Sequence, residues 1–98
     1  MTLADACKIL RVDQGDNDDL INALLDAIPD YIETTTGLLI CNQGTEPLVE
    51  TVSGFLLTQW YYADHADDQS LTRTINSLLK VISVRARSYN RYEEDIQL

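Results

Sequence analysis

Leu10-Arg11-Val12-Asp13, then Asp16-Asn17-Asp18-Asp19-Leu20-Ile21, then Tyr31-Ile32-Glu33-Thr34-Thr35-Thr36-Gly37 is the stretch on which the fold turns. Leu20, Ile21, Leu24, Leu25, Ile28, Tyr31 and Ile32 recur with a period near 3.6, the spacing of a helix with one apolar side. Asp16 or Asn17 is expected to cap that helix, and Asp18 and Asp19 sit in its first turn, where negative charge offsets the exposed amide dipoles. Gly37 closes it, because glycine takes the left-handed conformation of a helix end without a Cβ penalty. Pro29 lies inside and lacks the N–H that the helix ladder needs, so a kink is expected there, or two helices meeting near Asp26 to Ile28.

Upstream, Thr2 is placed to cap a first helix over Leu3 to Arg11, with Asp5 three residues on. Leu3, Ala6, Cys7 and Leu10 form its apolar face, and Val12 to Gly15 turns the chain. Downstream, Leu38 to Thr45 reads as a loop. Glu46-Pro47 starts a third helix, proline being tolerated in a first turn. Leu48, Val49, Val52, Phe55, Leu56, Leu57, Trp60, Tyr61 and Tyr62 make that helix apolar nearly all round towards Ala63. It is therefore expected to be central, with part of its cover supplied by another subunit. Asp64 to Gln69 forms a polar linker and Ser70 an N-cap. Leu71, Ile75, Leu78, Leu79, Ile82 and Ala86 stripe the last helix, with Val81 and Val84 off the stripe. Periodicity gives out after Arg87.

These elements predict an all-α fold, a small bundle of about four helices over residues 1–87, with residues 88–98 as a mobile C-terminal tail. Ninety-eight residues hold one domain of modest core. No apolar run reaches bilayer length, and the start Met1-Thr2-Leu3-Ala4-Asp5 lacks a signal peptide's basic character, so a soluble cytoplasmic protein without membrane association is expected.

The net charge is −9. That balance argues against tightly bound nucleic acid, which demands clustered Lys and Arg. The charge is uneven: residues 1–72 carry thirteen acids against Lys8 and Arg11, whereas residues 73–98 carry five bases against three acids. Such a division suits a subunit whose basic C-terminal region meets an acidic surface on a neighbouring copy.

Chemistry finds little purchase. Asp13, Asp16, Asp18 and Asp19 invite a calcium-loop reading, but Gly15 is misplaced for one and no glutamate closes the loop, so helix capping is preferred. His65, the only histidine, stands among Asp64, Asp67 and Asp68 and reads as polar linker. Cys7 and Cys41 have no C-x-x-C spacing and no evident base, and are expected to be reduced thiols. There is no nucleophile elbow and no glycine-rich phosphate loop. Neither an enzyme, nor a cofactor, nor a metal site is expected. Phe55, Trp60, Tyr61 and Tyr62 lack the basic groove that base stacking requires and read as core or interface.

The order of segments resembles the small helical head–tail connector proteins of tailed phages. Leu10-Arg11-Val12-Asp13 is similar to the turn after their first helix. Asp18-Asp19-Leu20-Ile21 and Tyr31 to Gly37 resemble the opening and close of their long helix. Trp60-Tyr61-Tyr62 resembles their aromatic pair, and Leu78-Leu79 to Arg85 and Arg87 their final helix. The resemblance implies a virion protein at the head–tail junction, assembled in the host cytoplasm. It would form a homo-oligomeric ring on the portal protein, receive a stopper or tail-completion protein, and extend a channel through which DNA passes without specific binding. The residues expected at its interfaces are Trp60, Tyr61, Tyr62, Arg85, Arg87, Tyr89, Arg91 and Tyr92. The alternative from another class is a small acidic phage regulator, such as a DNA-mimic inhibitor or an anti-host factor.

Overall fold

A computed structural model describes residues 1–63 and 69–97, with residues 90–97 as helical backbone alone. Five helices follow in order: α1 (Leu3–Leu10), α2 (Asp18–Thr36), α3 (Ile40–Gln43), α4 (Pro47–Tyr61) and α5 (Gln69–Gln97). The all-α expectation holds, and α3 is the addition to it.

The start of α1 is set by a reciprocal capping box. The Asp5 amide donates to the Thr2 hydroxyl at 3.2 Å, and the Thr2 amide donates to the Asp5 carboxylate at 3.3 Å. Those bonds, the Thr2 amide's first, hold the Asp5 carboxyl below its usual pKa. At the other end Arg11 is left-handed (φ 60°, ψ 44°), and the Val12 amide reaches back to the Cys7 carbonyl at 3.0 Å.

The second helix is continuous across Pro29. Two helices meeting before Pro29 are not seen, because the apolar stripe on either side of the ring is buried as one face: Ile21, Ile28 and Ile32. Gly37 closes the helix in the left-handed conformation (φ 81°), its amide donating to the Glu33 carbonyl at 2.8 Å. Asn17 occupies the cap position, but its side chain makes no capping bond.

The expected loop at Leu38 to Thr45 contains α3. Glu33 explains it, because its carboxylate accepts from the Ile40 amide at 2.8 Å and so caps a turn that has no apolar period of its own. Leu38 is fully buried just before it.

The central position of α4 is confirmed, since it packs on α1, α2 and α5. Three helices of the same chain thus supply most of the cover that the sequence assigned partly to a neighbour. Val52, Leu56 and Leu57 meet Ile75, Leu79, Ile82 and Ala86 of α5 in one core with Ala6, Cys7 and Leu10. In α5, Ser70 lies inside the first turn, because the helix begins at Gln69. The helix also runs beyond Arg87 to Gln97, where period alone gave no helix.

Candidate assembly surface

The aromatic end of α4 binds the molecule's own elements together. Trp60 meets Tyr31 of α2 edge to face, with ring centroids 5.2 Å apart. Tyr61 and Tyr62 meet likewise at 4.9 Å. The Asn17 side-chain amide, which makes no capping bond, donates through Nδ2 to the Tyr61 hydroxyl at 2.7 Å. The Tyr62 hydroxyl donates to the Leu10 carbonyl at 2.6 Å, satisfying one of the acceptors that every helix C-terminus leaves open. Trp60 and Tyr61 are partly buried against the core, while Tyr62 and Tyr31 keep exposed flanks.

A second cluster joins the N-terminus of α4 to α5. Glu46 precedes Pro47 and caps α4, its carboxylate accepting from the Leu48 amide at 3.3 Å. The same carboxylate accepts from the Arg85 guanidinium at 2.6 Å and from the Tyr89 hydroxyl at 3.1 Å. The Glu46 side chain is only 3% exposed, against 50% for Arg85. Burial pushes this carboxyl up, but the hydrogen bonds from Arg85, the Leu48 amide and Tyr89, with the Arg85 charge, outweigh it and hold the pKa below its usual value. Tyr89 also explains why α5 continues past Arg87, since its ring packs on the core there.

Of the residues expected at interfaces, Arg85 and Tyr89 therefore converge on Glu46 within one chain. Arg87 is exposed. Arg91 and Tyr92 lie outside the described side chains, and His65, in residues 64–68, lies outside the described residues. Glu46 itself was missed from sequence. Its signals were the Glu-Pro pair at a helix start and the four-residue spacing of Arg85 and Tyr89, which places both on one helix face.

Large apolar side chains stand outside the core on two outer faces. Leu20 (51% exposed) and Tyr31 flank the outer side of α2, and Val81 and Val84 (60% exposed) that of α5. A cleft of about 310 Å³ opens between α2 and the start of α4, lined in part by Leu25, Pro29, Gln43 and Glu50. The Gln43 amide spans part of that junction, donating to the Pro29 carbonyl at 2.9 Å and the Leu38 carbonyl at 3.2 Å.

The acidic turn is local structure: the Gly15 amide donates to the Asp18 carboxylate at 2.8 Å. No group of His, Cys, Asp and Glu among the described residues is arranged to hold a metal ion. Cys7 is buried and Cys41 exposed, both as thiols. Burial pushes the Cys7 thiol up, and the charges of Asp18, Asp13 and Asp16 add to it, which favours the neutral thiol in the core. Among the described residues no helix is long and apolar enough to cross a membrane. Compared with protein-family models, curated proteins and solved structures, the chain finds no match.

Proposed function

We propose that the chain is a structural ring subunit, a head–tail connector that assembles on the portal of a tailed phage and joins head to tail. The observation that supports this reading best is spatial. The Leu10 to Asp13 turn, the acidic opening of the long helix and the aromatic group of α4 are three separate carriers of the resemblance. In the structure they meet at one end of the molecule, through the bonds from Tyr62 to Leu10 and from Asn17 to Tyr61. Segments that look unrelated along the chain thus form one unit, as expected if they define an adaptor fold together.

In this reading α4 is the pillar, the outer faces of α2 and α5 serve assembly, and the end of α5 engages the portal. An acidic lumen would let DNA slide past without adhering, since like charge opposes contact with the phosphates. Adding the purified protein to portal-bearing heads that lack it tests the proposal. Rings bound at the portal and restored tail joining are expected. Heads that stay bare while the protein inhibits a DNA-binding enzyme would instead mark an acidic regulator.

A further inference from the structure

The outer faces of α2 and α5 are complementary. On α2, Asp19, Asp26 and Asp30 form an exposed acidic row, and an apolar row of Ala23, Ala27, Leu20 and Tyr31 runs beside it. On α5, Arg73, Lys80 and Arg87 form an exposed basic row at seven-residue intervals, beside Val84 and Val81. None of these six charged residues has an ion-pair partner within the chain among the described residues. At 100° per residue the charged row lies on the same side of the apolar row in both helices, each viewed from its own N-terminus. Two such faces laid against each other in parallel would set acid against valine. Laid antiparallel, they set acid against base and apolar against apolar.

We infer that α2 of one copy packs antiparallel on α5 of the next copy. The register is fixed by spacing. Asp19 and Asp26 are seven residues apart, as are Lys80 and Arg87, or about 10.5 Å along each axis. Asp19 then faces Arg87 and Asp26 faces Lys80, while Asp30 lies towards Arg73. In the same register Ala23 comes opposite Val84 and Ala27 opposite Val81. Each small side chain makes room for a larger one, which permits close helix approach. Because the two faces differ, the contact is head-to-tail and propagates, which closes into a ring where the rotation allows. This inference deepens the ring reading and takes from it only that copies of the chain meet one another.

Charge reversal tests the pairing with the full chain at low ionic strength, followed by sedimentation and native mass spectrometry. Asp19→Lys with Asp26→Lys, and separately Lys80→Asp with Arg87→Asp, should each weaken self-association about tenfold or more while leaving helicity intact. Mixing the two variants should restore assembly, since each then offers the other an opposite face. Placing all four substitutions in one chain should restore it too. A wild-type protein that stays monomeric at the highest attainable concentration, variants that assemble like wild type, or a mixture that fails to recover would each overturn the inference. Assembly that follows this pattern but never attaches to portal-bearing heads would leave the pairing standing and remove the connector reading.

Discussion

Glu46 couples the start of α4 to the far part of α5, because a carboxylate with so little water around it depends on Arg85 and Tyr89 for its charge. Its pKa is lower folded than unfolded, so its stabilisation is complete above the ordinary glutamate value of about 4.3 and is lost as pH falls through the depressed folded value. Glu46→Gln is expected to cost about 1.5–3 kcal/mol near neutral pH. That difference from wild type should shrink on acidification in urea titrations; a constant difference would mean that the charge is not what matters. Arg85→Met should follow the same trend, its deficit relative to wild type shrinking on acidification once an unpaired buried Glu46 can take a proton. Arg11 presents a separate local test. Its left-handed backbone disfavours any side chain by about 1–2 kcal/mol, so Arg11→Gly should be neutral to stabilising and Arg11→Val destabilising. Equal stabilities would show that the turn relaxes. The sequence carried the Glu-Pro helix start and the shared face of Arg85 and Tyr89, but not their meeting, since those partners lie 39 and 43 residues from Glu46.

At the scale of elements, α1, α2 and the first part of α5 were legible because each carries an apolar stripe with a period, and α4 because a long apolar run follows the Glu46-Pro47 start. The short helix α3 was not, because four residues make one turn, which is held by the Glu33 carboxylate at the Ile40 amide and by its own Gln43 amide donating to the Leu38 carbonyl. The end of α5 was misplaced for a related reason: Tyr89 is held by a contact that no local pattern encodes. The aromatic group was legible as an apolar cluster, but not the hydrogen bonds that turn Tyr61 and Tyr62 inward. Gln43→Ala should cost about 1–2 kcal/mol, because it leaves a buried carbonyl of Leu38 without that donor. It should also raise amide exchange in α3 more than in α4. Uniform exchange across both helices would show that α3 has no separate stability and unfolds with the whole.

For the whole molecule, the uneven charge noted in the sequence acquires a shape, with acids along the outer side of α2 and bases along that of α5. Residues 90–98 follow Tyr89, carry Arg91 and Tyr92, and are assigned to portal docking in the proposed function. Removing them while keeping Tyr89 should leave urea stability unchanged within about 0.5 kcal/mol and abolish attachment to heads. A truncated protein that completes infectious particles at normal yield would refute that role. The proposal that this chain is a ring subunit is tested most directly by native mass spectrometry of the full-length protein mixed with its portal. A portal carrying one closed ring of many copies is the expected result. A portal that stays bare beside free monomer, at concentrations where both proteins are folded, would contradict it.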